Sequence, residues 1–226
     1  MSLKKLSKLY HYVRCIPKTL FFNFYYLPFH QAIKLPILVN HRTKFVALGG
    51  RISIPESAKL GKIKLGFGRV QIADNKYSRF IWNIGKNGHI KFGHHIKVGT
   101  GSKLHINGKL AIGSGSNFTG EATIICNHVI SFGDNCLISW QTLFMDSDLH
   151  KITDLENQQT NPDQPITIED KVWVGARSTI LKGTNIATNS VVASAATVTG
   201  NFEQDSVIGG NPAKAISSFS GKCFHH

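Results

Sequence analysis

The apolar positions of this chain fall on a beat of six. From residue 168 onward, Ile168, Val174, Ile180, Ile186, Val192 and Val198 follow one another at that spacing without a slip. Four positions after each of the first five stand Val172, Ser178, Thr184, Ser190 and Ala196, nearly all of them small. Upstream, Ile106, Ile112 and Phe118 keep step, as do Phe132, Ile138 and Phe144, with two-residue slips between such groups. An α-helix repeats every ~3.6 residues and a strand about every two, over roughly four to eight residues. A period of six fits short strands joined by tight corners, each strand pointing one aliphatic residue inward.

A second regularity marks the corners. Leu60-Gly61, Ile84-Gly85, Phe92-Gly93, Val98-Gly99, Ile112-Gly113, Phe132-Gly133 and Val174-Gly175 each place glycine directly after an apolar residue. Glycine, Asn and Asp tolerate the positive φ that a tight corner demands. Hexads of this kind stack into a triangular solenoid in which every coil covers the next one's backbone and apolar layer. A conventional β-sandwich would instead turn about every 8–12 residues. The expected fold is therefore all-β, a parallel β-helix over residues 51–216, with an N-terminal arm or cap over 1–50 and a tail over 217–226.

The beat stops once, for about twenty residues. The segment 146–165, "DSDLHKITDLENQQTNPDQP", is polar and ends in proline before the beat resumes at "ITIEDKVWVG". Long irregular insertions in compact repeats are usually functional. His150 stands in this one, preceded by Asp146 and Asp148. A neutral imidazole titrates near neutrality and can take a proton from a hydroxyl while that oxygen attacks a carbonyl. Either carboxylate is placed to orient the ring, and corner N–H groups can hold an oxyanion.

The repeat, the interrupted coil and the closing segment "VIGGNPAKAI" (207–216) together resemble the hexapeptide-repeat acyltransferases, left-handed β-helix enzymes, over about residues 50–216. That resemblance implies an O-acetyltransferase that moves acetyl from acetyl-CoA to a sugar hydroxyl, with His150 as general base and Asp148 beside it. It implies a donor groove along the C-terminal coils, formed by Trp173, Gly175, Ala176, Ser194 and Thr199, with Lys214 near phosphate. It also implies a homotrimer, because the family shares its site between neighbours. On the acceptor side Asn117, Asn127, Trp140 and Asp146 offer hydrogen bonds and a stacking plane. The arm and the "DSDLH" loop look most like the cell-envelope polysaccharide O-acetyltransferases. An N-acetyltransferase acting on an amino sugar and a catalytically silent solenoid scaffold are the alternatives.

Composition narrows the partners. Lys and Arg number 26 against 13 Asp and Glu. Residues 1–55 hold nine of the basic side chains and no acid, Glu56 being the first carboxylate. The charge is thus a property of the arm, which argues against a nucleic-acid-tracking surface. Within it, "LKKLSKLYHYV" reads as a short amphipathic helix, and "TLFFNFYYLPFHQAIKLP" after Pro17 is dense in aromatics. Two compatible readings follow: a cap over the open first coil, and a peripheral contact with an anionic membrane surface. The four cysteines show no C-x-x-C pair, so a reduced cytoplasmic setting is expected, without a signal peptide. A zinc site of the γ-type carbonic anhydrase kind needs a close His pair late in the solenoid; after His128 only His150 precedes the tail, so no metal is expected.

Overall fold

The computed structural model describes residues 3–68, 70, 74 and 77–225. The first two residues of the arm and the last of the tail lie outside that set. The chain opens with a helix, α1 (Leu3–Tyr26), and a single further turn, α2 (Phe29–Ala32). It then winds through coils of three short strands. The first coil is β1 (Ile37–Val39), β2 (Lys44–Leu48) and β3 (Arg51–Ser53). Each of these starts one face of the solenoid, and later strands join it coil by coil, giving sheets of nine, seven and seven strands. All the strand pairs between coils are parallel; the exception is the last strand, Ala213–Ser218, which folds back antiparallel on Ser206–Gly210. The fold is the left-handed parallel β-helix that the beat of six predicts.

The beat maps directly onto the interior. Ile168, Val174, Ile180, Ile186, Val192 and Val198 are all buried, and so are the small residues between them. Phe118, Phe132 and Phe144 stack edge to face within the prism, their ring centroids 5.0 and 4.8 Å apart in sequence order. Burying each such side chain is worth about 1.5–3 kcal/mol before entropy is counted. The small residues have a second task. The hydroxyl of Ser178 donates to the carbonyls of Gly175 at 2.8 Å and Ala193 at 3.0 Å, so it satisfies corner oxygens that no strand can reach.

The solenoid begins earlier than expected, at Ile37 rather than residue 51. The helix is also longer than the pattern at 3–13 implies, running through Pro17 to Tyr26. Both differences have one cause: α1 seals the open end, and its second half belongs to the core. Phe22 is fully buried and meets Trp82 and Phe45 at 4.9 and 5.9 Å. Its polar side chains also replace the missing coil. The Asn23 amide donates to the Ile37 carbonyl at 2.7 Å and accepts from the Ile37 N–H at 3.2 Å. Thr19 accepts from the Val39 N–H at 3.1 Å, and Tyr25 donates to the Leu48 carbonyl at 2.8 Å. An edge strand left open would invite pairing with another chain.

Candidate active site

The interruption lies at the corner between the second and third sheets. The chain leaves strand Leu143–Met145, makes its excursion, and returns as Ile166–Ile168. Asp146 guards the mouth. It is fully buried, one carboxylate oxygen accepting from the Asn127 N–H at 2.7 Å and the other from the His128 N–H at 2.9 Å. Its own carbonyl accepts from the Gln164 N–H at 3.1 Å and closes the loop's neck. Burial, followed by the charge of Asp146, holds the Cys126 thiol far above its ordinary range, so that cysteine is an inert filler.

Beyond the neck the loop is clamped rather than packed. The Asp148 carboxylate accepts from the Lys182 ammonium at 2.5 Å and from the Asn161 amide at 2.8 Å. Those bonds, Lys182 foremost, hold the exposed carboxyl below the usual range. Asn161 also donates to the His150 carbonyl at 2.9 Å and accepts from the Ile152 N–H at 2.6 Å. The outer half is a small hairpin, Thr153 bridging to Gln159, with Asp154 accepting from the Glu156 and Gln158 N–H groups. His150 is thus held by its backbone, with an exposed ring that makes no hydrogen bond among the described residues.

This corrects the expected roles of the two carboxylates. Neither orients the imidazole: Asp146 faces inward onto amides, and Asp148 is occupied by Lys182 and Asn161. Asp146 is likewise shielded from any acceptor. The reason is that a loop leaving a solenoid must replace the ladder bonds it forgoes, and these carboxylates do so. Lys182, Asn161 and Gln164 are the residues that the sequence reading missed. Lys182 follows strand Thr179–Leu181 in the coil below, and nothing in the sequence links it to Asp148 thirty-four positions away.

The expected donor residues divide between two corners. Trp173, Gly175, Ala176 and Ser194 gather where the first sheet turns into the second. Gly175 lies so tightly under the next coil that a Cβ on it would stand 2.7 Å from the Ser194 nitrogen. The Trp173 ring is 37% exposed, with its N–H donating to the Ser139 hydroxyl at 3.1 Å. Lys214, on the returning strand, pairs with Gly209, whose Cα faces Ala193 of the same corner. Small residues thus stand beside a part-exposed indole, whose ring centroid lies 6.1 Å from that of Phe224. Thr199 is on the other corner, two coils beyond the loop and on its edge.

The acceptor residues scatter further. Asn117 lies on the outer side of the first sheet with its amide oxygen buried and unbonded, and Trp140 stands at the first corner. Asn127 is at the loop's own corner, in a ladder: the Asn107 amide donates to its oxygen at 3.0 Å and approaches the His105 ring at 3.2 Å. Of the three, only Asn127 adjoins the loop of His150. Residues about ten apart in a period-six solenoid must fall on different faces, which is why the sequence could not group them.

Among the described residues one trio has metal-ligand chemistry: His11, Cys15 and His41, their ligating atoms all within 4.8 Å of one another. Burial, then Arg14, His11, Arg42 and Lys18, push His41 down to about 4.

No family model matches the chain. Its relatives include a candidate lipopolysaccharide biosynthesis O-acetyl transferase of Escherichia coli K12, 26% identical over 67% of this chain and 83% of that protein. Another is the galactoside O-acetyltransferase of the same organism, 27% identical over 56% of this chain and 59% of the relative. Among solved structures, a polysialic acid-specific acetyltransferase covers 84% of this chain and 79% of its own at TM-score 0.63, with 18% identity. A polysialic acid O-acetyltransferase covers 66% and 71% at TM-score 0.54, with 25% identity. In fold the chain is like polysialic acid acetyltransferases of known structure, and these two relatives that it matches in sequence are named as O-acetyltransferases. The shares of the relatives that it spans, 83% and 59%, leave its particular substrate to be argued from the site.

Proposed function

We propose that the chain is an acetyl-CoA-dependent O-acetyltransferase acting on a hydroxyl of a cell-envelope polysaccharide or its sugar precursor. One observation carries the reading: a solvent-facing imidazole, His150, on a loop whose backbone is locked by Asp146, Asp148, Asn161 and Lys182. When bound, the donor supplies an activated thioester. The unprotonated ring nitrogen of His150 accepts the proton of the acceptor hydroxyl as the oxygen bonds to the acetyl carbon. The ring then returns that proton to the departing sulfur, and ends neutral. No carboxylate is needed as a relay; the ring is held at the right height by the loop. Relatives and neighbours whose names specify lipopolysaccharide, galactoside and polysialic acid support a glycan acceptor.

The site is completed by a second copy, in a homotrimer. His150 and the small-residue groove of Trp173, Ala176 and Ser194 occupy different edges of the prism, so one chain does not bring base and donor together. The loop also bares Leu149, Ile152 and Leu155, the last wholly exposed, as a segment does that lies against a neighbour. No helix among the described residues is long and apolar enough to cross a membrane.

The test is thiol release and acetyl transfer by wild type and His150→Ala over a panel of sugars, nucleotide sugars and polysaccharides. The variant should lose about a hundredfold or more in turnover while still binding the donor. Transfer undiminished in the variant would remove His150 from the chemistry. Absence of donor binding by wild type would remove the enzyme reading.

A further inference from the structure

The face of α1 turned away from the solenoid is unpartnered and apolar. Leu6, Leu9, Val13, Ile16, Leu20 and Phe24 recur at three- and four-residue steps, between 40% and 54% exposed. At ~1.5 Å per residue this stripe runs about 27 Å along the helix. Cys15, Thr19 and Phe22 lie on the buried side. By helical rotation Lys5 borders the stripe on one side and Arg14 lies beyond Tyr10 on the other, while Lys8 and Lys18 stand further round the helix. An apolar face bordered by long cationic stems is the make-up of a helix that lies in a lipid interface, with charges at headgroup depth.

Beside that border is a basic cavity of about 550 Å³ between helix and solenoid. Arg14 and Lys18 enter it from α1, Arg42 and Lys44 from the first coil, and Arg79 from the approach to the second. No carboxylate lines it among the described residues. The positive field is felt by its neighbours: burial, then Arg79, lower the Lys18 ammonium, and burial and the surrounding cations lower His41 to about 4. Arg14, Lys18, Lys44 and Arg79 gathered in one recess repel one another, and an anion offsets that cost.

We propose that α1 docks along an anionic phospholipid surface, its apolar stripe at the acyl boundary and a headgroup phosphate in the Arg14–Lys18–Arg42–Lys44–Arg79 cavity. A second copy is the poorer occupant. It would bring the same cations to the same face, and the first 55 residues contain no acid to meet them. An anionic bilayer complements the stripe and both of its borders at once. The proposal is independent of the acetyl-transfer reading, since it concerns the opposite end of the molecule from the groove at Ser194.

The experiment is co-sedimentation of the full chain with phosphatidylcholine vesicles and with vesicles containing phosphatidylglycerol, at low and high salt. Wild type should bind the anionic vesicles, release with salt, and leave neutral ones largely unbound. Lys44→Gln with Arg79→Gln should weaken anionic binding about thirtyfold, from roughly 1 kcal/mol per basic residue. Val13→Ser with Ile16→Ser, both exposed and so compatible with folding, should weaken it by at least tenfold, with the melting temperature as the check on folding. Failure to bind anionic vesicles, or binding unchanged in both variants, overturns the proposal. So does a self-associated species that the serine variant dissolves, which would assign the stripe to a second copy. A thermal shift with inorganic phosphate that depends on Lys44 and Arg79, without any vesicle binding, overturns it in favour of a soluble phosphate ligand.

Discussion

Lys182 holds Asp148 across thirty-four residues of chain, ammonium to carboxylate at 2.5 Å. It belongs to a rigid coil corner and Asp148 to the loop that presents His150. The same ammonium donates to the carbonyls of Asn161 and Pro162 at 3.1 and 3.2 Å, gripping both legs of the excursion. A loop without a core of its own depends on such bonds for its position.

Lys182→Met is therefore expected to loosen the loop with little effect on the solenoid. Turnover should fall about tenfold, since small misplacements of a catalytic group are costly. The affinity for donor should hold, and global stability should change by about 0.5 kcal/mol or less. Amide exchange within 148–161 should accelerate; exchange at the wild-type rate would show that Lys182 does not position the loop.

His41 makes the cap sensitive to acid. Its folded value, about 4, lies below the usual 6.5, so the folded chain binds fewer protons there than the unfolded one. The contribution is complete above about pH 6.5 and is lost as the pH falls toward 4. The groups responsible, besides burial, are Arg14, His11 and Lys18 on α1 and the adjoining Arg42. The melting temperature should drop between pH 7 and pH 5, and His41→Gln should flatten that slope. Equal slopes in the two proteins would count against the assignment.

Asn23 stands in for a coil that does not exist. Its replacement by Ala leaves the Ile37 N–H and carbonyl buried without partners, at about 1–3 kcal/mol for each such group. Denaturant unfolding should show a loss of about 2–4 kcal/mol at unchanged m-value. A loss below ~0.5 kcal/mol would mean that water reaches the first strand and that the cap is loose.

Gly113 is needed because coils lie about 4.8 Å apart. A Cβ there would stand 2.3 Å from the carbonyl carbon and oxygen of Gly133, backbone atoms that cannot rotate away. Gly113→Ala should cost about 1–3 kcal/mol by overpacking, read as a lower unfolding midpoint. A neutral outcome would show that the coils can spread at this corner.

How much of this was legible depended on repetition. The run from Ile168 to Val198 could be read because every sixth residue meets the same interior, so each position repeats the evidence of the last. The first coil escaped notice because it happens once. Ile37 and Val39 are buried with a helix and not a preceding coil on one side, so they carry no beat. Of the candidate site, the interruption singles out the loop of His150, whose ring the structure leaves exposed. The expected task of its neighbours Asp146 and Asp148 did not follow, because adjacency in sequence on an irregular loop does not fix where a side chain points.

The amino-acid sequence alone determined the β-helix, its inward-facing residues and the place where it is interrupted. Those features rest on a local period that stacking must obey. Only the tertiary structure decided that Asp146 clamps the Asn127 and His128 amides, that Lys182 anchors the loop, and that Asn23 completes the first strand. It also decided that five cations from α1 and the early coils share one cavity. Each of these pairings joins positions brought together by the pitch of the solenoid or by the helix laid across its end, and neither distance is written in the spacing of the residues themselves.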